Sequence, residues 1–270
     1  MIELKTDNEI DKMAITGSFI GQTLQYFKKE VKPGWNLLDI DKITKQRIDK
    51  AGAKSSYVDY APDFGSGPFG HYICTSVNNA VLHGLPYNYT LQNGDLLSLD
   101  LAVSINGWTA DSAVSFIVKD DIVEDDAAKD NIAEDKKTQE DEKLILATEI
   151  ALQKGIESAC VGNKISDISY RIGQYLISQG YGVNTDFGGH GVGRTMHEEP
   201  HIPNNDVKGH GFTLAHGMTF AIEPWILAKT DKYIYGNDGW TLLSADGSKG
   251  AHSEHTIAIT KSGPRILTLP

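Results

Sequence analysis

Apolar residues recur three and four apart near the start of the chain, at Ile10, Met13, Ala14, Ile20 and Leu24. That spacing puts them on one face of a helix. Thr6, three residues before Glu9, makes a capping box that starts the helix, and "KPGWN" stops it after about Lys29. "LLDIDKITKQRIDKAGA" repeats the pattern and predicts a second helix ending near Gly52. "PDFGSGPFG" has no period and reads as a loop, after which "YICTSVN" and "AVLHG" read as short strands. "DLLSLDLAVSI" and "GWTADSAVSFIV" read as two longer strands joined at Asn106-Gly107, a pair suited to a tight hairpin turn. Helical spacing resumes at about Glu140 ("EDEKLILATEIALQKGIESA") and again in "KISDISYRIGQYLISQG". Strands follow around "MTFAIEPWIL", "WTLLSA" and "EHTIAIT". The order helix, helix, strands therefore occurs twice, in residues 6–118 and 140–267, with no residue-level repeat between the halves. It predicts an α+β fold, a mostly antiparallel sheet with helices over one face.

At 270 residues and 40 % apolar content the chain can bury a substantial core without staples. The N-terminus is charged from its third residue, no apolar run approaches the ~18 residues of a membrane span, and the cysteines number two. These features predict a cytoplasmic protein without membrane contact. A net charge of −11 argues against direct nucleic-acid binding, which needs a basic surface. The acidity is local: residues 119–142 hold 11 acidic and 4 basic side chains. Residues 119–139 are charged and poor in aromatics, so they read as a solvated surface insertion.

The chemistry lies in acidic residues that interrupt apolar strands. Asp100 sits between Leu99 and Leu101, Asp111 just before "SAV", Glu223 in "TFAIEPWIL" and Glu254 in "AHSEHTIAIT". Each alone reads as a solvated strand residue. Four together, if buried, repel one another and need positive compensation, and the strands offer no lysine or arginine beside them. Metal cations are the simplest compensation. The run "GGHGVGRTMHEEP" adds His190 and His197 among four glycines. Its glycine spacing does not match a dinucleotide loop, which needs G-x-G-x-x-G between strand and helix. Carboxylates with imidazole suit divalent manganese, iron, cobalt or zinc. This many anionic ligands fits two ions ~3.5–4 Å apart and metal-assisted hydrolysis.

These residues resemble the type I methionine aminopeptidases, metallopeptidases of pita-bread fold that remove initiator methionine. The likeness is carried by "GGHGVGRTMHEEPHIPN", "VNNAVLHGLP" with His83, "LLSLDLAV", "ADSAVSF", "FAIEPW" and "SEHT". It covers nearly everything except about residues 119–139, an insertion relative to the short bacterial form. The resemblance implies one catalytic domain over residues 1–270, a pseudo-two-fold sheet, and two divalent ions. Asp111 and Glu254 would bridge the ions, Asp100 would hold one, and His190 with Glu223 the other. Glu223 would also shuttle a proton from water to the leaving amine. His83 would steady the scissile amide or the amine end, and His197 the developing oxyanion. The glycines would let the backbone turn tightly past the metal. Phe69, Cys74, His83, Met196 and Trp240 fall at or near the places that form the methionine pocket. Met196 replaces an aromatic residue common just before the second histidine, and Phe69 lacks the hydroxyl of the usual tyrosine. The implied substrates are nascent polypeptide N-termini with a small second residue, met in transient contact with the ribosome, and the chain is expected to be a monomer by default.

Two other readings share these features. A pita-bread peptidase acting beside proline has the same five ligands but usually an additional N-terminal domain, for which a match starting near residue 5 leaves no room. A metal-free pita-bread binding module would have lost ligands, and all five are present here.

Overall fold

The computed structural model describes residues 2–63, 65–120 and 132–270, except for the side chains of 132–135. Helix α1 (Asp7–Glu30) begins at the Thr6 capping box, with both reciprocal hydrogen bonds formed. Helix α2 (Leu37–Ala51) is capped by Asn36, whose side chain accepts from the Leu38 amide, and ends at Gly52 in the left-handed region (φ 64°). Strands β1 (Lys54–Ser55), β2 (Cys74–Val77), β3 (Ala80–Leu82), β4 (Leu96–Ile105) and β5 (Trp108–Ile117) follow. Asn106 and Gly107 both take positive φ, 53° and 76°, so β4 and β5 meet in the predicted tight hairpin.

The second half repeats the order. Helices α3 (Ile132–Ser158) and α4 (Ile165–Ser178) precede β6 (Gly188–Gly191), β7 (Glu198–Pro203), β8 (Thr219–Ile222), β9 (Trp225–Leu227) and β10 (Tyr233–Tyr235). β11 (Leu242–Ser244), β12 (Gly250–His252), β13 (Glu254–Thr260) and β14 (Gly263–Ile266) complete the described chain. The main sheet runs β1-β4-β5-β13-β8-β6-β7, with β2 added on β4 and β14 on β13, and every pairing in it is antiparallel. The halves join where β5 pairs with β13.

One face of this sheet carries the helices. Leu97, Leu99, Leu101 and Val103 of β4 pack with Ile20, Leu24 and Phe27 of α1 and Leu37, Ile40 and Ile48 of α2. Phe220, Ile222, Ile257 and Ile259 pack with Leu144, Leu152, Ile168 and Ile172 of α3 and α4. Among the described residues no helix is long and apolar enough to cross a membrane.

Three expectations change on folding. Helix α3 starts at Ile132, not near Glu140. Its first turns are charged but built of good helix formers, which an apolar period does not register. Residues 132–139 of the expected insertion are thus helical, while 121–131 lie outside the described residues. The apolar run "TFAIEPWIL" is broken at Glu223-Pro224 into β8 and β9, because proline has no amide to donate to a ladder. Finally, "GGHG" is a strand and not a turn. A Cβ on Gly189 would meet the Ala221 carbonyl oxygen, one on Gly188 would stand 2.7 Å from the Ile202 carbonyl oxygen, and one on Gly191 would meet that of Glu199. The glycines let β6 lie close between β7 and β8.

Candidate metal centre and substrate pocket

Strand register gathers the acidic residues. Asp100 lies opposite Ala113, and Ala113 lies opposite Glu254 on its other side, so all three share one face of the sheet. Asp111 precedes Ala113 by two residues and shares that face, because side chains alternate along a strand. His190 lies opposite Ala221, which lies opposite Thr256, two residues beyond Glu254. Glu223 follows Ala221 by two, just past the end of β8. The opposite face belongs to the helices, so the sequence alternates between core on one side and carboxylates on the other.

Side chains converge accordingly. Among the described residues, ligand atoms of Asp111, His190 and Glu254 lie within 4.8 Å of one another. The Nε2 of His190 is 3.5 Å from a Glu223 oxygen. Its Nδ1 is 2.9 Å from the Gly191 carbonyl oxygen, which makes Nδ1 the donor and turns the Nε2 lone pair toward the acids. The Tyr57 hydroxyl donates to Asp100 Oδ1 at 2.6 Å and lies 3.3 Å from Asp111 Oδ1. Thr256 fixes Asp111 by accepting from its amide and donating to its carbonyl, and Asn204 donates to the Glu223 carbonyl.

Burial, then the neighbouring charges, pushes these acids up. Desolvation raises Asp100 to about 6, and desolvation followed by Asp100 raises Glu223 to about 8. Asp111 is also raised, first by burial and then by Asp100 and Glu223, and Glu254 by burial and then by Asp111, Glu223 and Asp100. Burial lowers His190 to about 3 and His83 to about 4 and also lowers His197, so all three are neutral at pH 7. Among the described residues no lysine or arginine pairs with the four acids, and none lines the cavity. Glu254 Oε1 is buried without a hydrogen-bond partner. A donor set of four carboxylates and an imidazole, short of positive charge and with an orphaned oxygen, fits divalent cations.

The cluster forms one wall of a cavity of about 620 Å³. Every residue expected at the site lines it: His83, Asp100, Asp111, His190, His197, Glu223 and Glu254, with Phe69, Cys74, Met196 and Trp240. The last four pack with Tyr57 in one buried apolar cluster. Phe69 meets Trp240 edge to face at 5.1 Å and Tyr57 in a tilted contact at 5.4 Å. Gly65, in the loop above, has no Cβ; one would stand 2.7 Å from the Trp240 ring. The rings of His190 and His197 are 4.3 Å apart, and His83 stands edge-on to Trp240 at 6.5 Å, with its backbone in the left-handed region (φ 55°).

Sequence reading missed Tyr57, Tyr60, Phe187, Tyr233 and His252. The first four line the cavity, while His252 lies behind it, its Nε2 3.8 Å from Glu223 and 4.0 Å from Glu254. None had a periodic or motif signal; Tyr57 reaches Asp100 across 43 residues of chain.

The model of metallopeptidase family M24 matches residues 11–261. A methionine aminopeptidase of Clostridium perfringens is 42 % identical, the match covering 100 % of this chain and 99 % of that one. The crystal structure of methionine aminopeptidase from Rickettsia prowazekii superposes with a TM-score of 0.88 at 34 % identity, covering both chains fully. A prolidase from Pyrococcus horikoshii shares the fold (TM-score 0.70, 20 % identity), but the match covers only 63 % of its length. With its cluster of buried carboxylates and its full-length likeness in chain and fold, the protein belongs to metallopeptidase family M24, among the methionine aminopeptidases.

Proposed function

We propose that this protein removes the N-terminal methionine from peptides and nascent chains whose second residue is small, using two divalent ions held by Asp100, Asp111, His190, Glu223 and Glu254. The observation that carries the reading is the junction of two surfaces in one cavity: a face of buried carboxylates short of positive charge, and an apolar ring cluster beside it. Phe69, Cys74, Met196 and Trp240, with Tyr57, offer rings and sulfur against which a thioether packs well. Divalent cations bound at the acids supply Lewis-acid polarisation and a nucleophilic water near neutral pH.

The chain's own groups do the rest. Glu223, at the cavity wall with an oxygen 3.5 Å from His190 Nε2, is the residue we assign to take a proton from water, as the carboxylate it would be with cations bound, and to pass it to the leaving amine. His83 and His197, both neutral, donate N–H groups: His83 toward the amide or the amine end, His197 toward the oxygen on which charge develops. The pocket holds the first side chain, so the scissile bond lies one residue from the terminus.

Stripping the protein with chelator and restoring manganese, cobalt, iron or zinc in turn tests this. Metal-dependent release of methionine from Met-Ala-Ser, with Met-Pro-Ala and Ala-Pro-Ala uncut, is the expected result. Cleavage of Ala-Pro-Ala instead would overturn the substrate, and metal binding without any turnover would overturn the peptidase reading.

A further inference from the structure

Tyr57 belongs to two environments at once. The residue is 6 % exposed, packed among Phe69, Cys74, Ala102, Met196 and Trp240. Its hydroxyl sits between two acids, 2.6 Å from Asp100 Oδ1 and 3.3 Å from Asp111 Oδ1. The backbone beneath is pinned as well: Ser55 Oγ accepts from the Tyr57 and Val58 amides at 3.1 and 3.3 Å, and the Tyr57 carbonyl accepts from the Tyr60 amide at 2.9 Å.

We propose that Tyr57 is a positioning residue for metal binding, its hydroxyl holding Asp100 in the orientation that receives the cation. The inference rests on the dinuclear reading above and adds a residue to it. A phenol has one proton to give, and the shorter distance assigns it to Asp100. A carboxylate has about four lone-pair sites, so Asp100 can accept from Tyr57 and still ligate. The choice of side chain matters. A lysine or arginine here would neutralise the acids and repel the ion, whereas a neutral donor orders them and leaves their negative charge for the cation. Aligned ligands lose less freedom on binding, the general effect of hydrogen-bonded partners behind a metal's ligands. The ring, wedged in the apolar cluster, fixes where the hydroxyl points. The wall that receives the substrate side chain therefore also orders the metal ligands.

The test is Tyr57→Phe, which removes the hydroxyl and keeps the ring. Calorimetric titration of Mn2+ into chelator-stripped wild type and variant should show ~10–100-fold weaker binding in the variant. The rise in melting temperature at graded Mn2+ reads the same affinity and first establishes that the variant is folded. Equal affinity in the two proteins overturns the proposal. So does equal affinity with a raised KM, which would make Tyr57 a substrate contact only. Failure of the wild type itself to bind Mn2+ would instead remove the dinuclear reading on which the proposal stands.

Discussion

His197 lines the cavity with its ring 4.3 Å from that of His190. Burial lowers it, so it faces the cavity as a neutral imidazole with a proton to donate. A donor aimed at charge that appears only during reaction affects kcat more than ground-state binding. His197→Ala should therefore reduce kcat on Met-Ala-Ser by ~10²–10³-fold, as loss of a single oxyanion donor does, with Mn2+ affinity held within about 3-fold. Steady-state kinetics beside calorimetry check this, and a rise in KM alone would show His197 to be a uniform binder. His197 was legible because its spacing from His190 lies within one stretch of chain. Tyr57 was not, because its partners are set by the register of β4 and β5 and by the fold of the loop around Ser55. His252 was hidden similarly: only the neighbouring turn to β13 brings its Nε2 to the rear of Glu223 and Glu254.

Strand β6 shows how an element can be shaped by absent atoms. Its neighbours approach so closely that a methyl group on Gly189 would meet the Ala221 carbonyl oxygen. Gly189→Ala must push β6 from β8, and overpacking of this kind costs ~1–3 kcal/mol. Since His190 is the next residue, Mn2+ binding should weaken along with stability. Denaturant unfolding of the chelated protein and a metal titration read the two effects, and unchanged values for both would exclude close strand approach as the reason for the glycine. The elements legible beforehand were those with local causes: α1 from its capping box and apolar stripe, α2 from its apolar pattern and Gly52, the β4–β5 hairpin from Asn106-Gly107. β6 was not legible, because a glycine run advertises freedom to turn and its need for close packing exists only once β7 and β8 are in place. The early turns of α3 and the break at Pro224 were missed for a simpler reason. Apolar periodicity registers neither charged helix formers nor a single missing amide.

At the scale of the molecule, the buried acids make stability depend on pH and metal together. In the folded, metal-free chain burial raises Asp100 to about 6, and burial followed by the Asp100 charge raises Glu223 to about 8, with Asp111 and Glu254 raised as well. Unfolded, all four release their protons near pH 4. Folded-state protons that the unfolded chain lacks mean that stability falls as pH rises. Burial also lowers His83, His190, His197, His252 and His255, and these act in the opposite direction. Their effect is confined to pH values below their unfolded value of about 6.5, where the unfolded chain takes up protons that the folded chain refuses. Between about pH 6.5 and about 8 the unfolded histidines lose only their remaining half-charge, a smaller effect than that of the acids still protonated in the folded chain, so the acids set the sign. The chelated protein should therefore melt at lower temperature at about pH 8 than at about pH 6.5. Divalent cations reverse the sign, because they bind the ionised carboxylates and compete with the same protons. At free Mn2+ about 100 times its dissociation constant, stabilisation reaches ~2.7 kcal/mol, and melting should rise by roughly 5–10 °C. The metal-induced rise should be larger at about pH 8 than at about pH 6.5 for the same free Mn2+. Calorimetric melts at both pH values, with chelator and with Mn2+, measure all four states. A chelated protein equally stable at both, with a metal-induced shift that does not depend on pH, would mean that the four carboxylates are already ionised and compensated without cations.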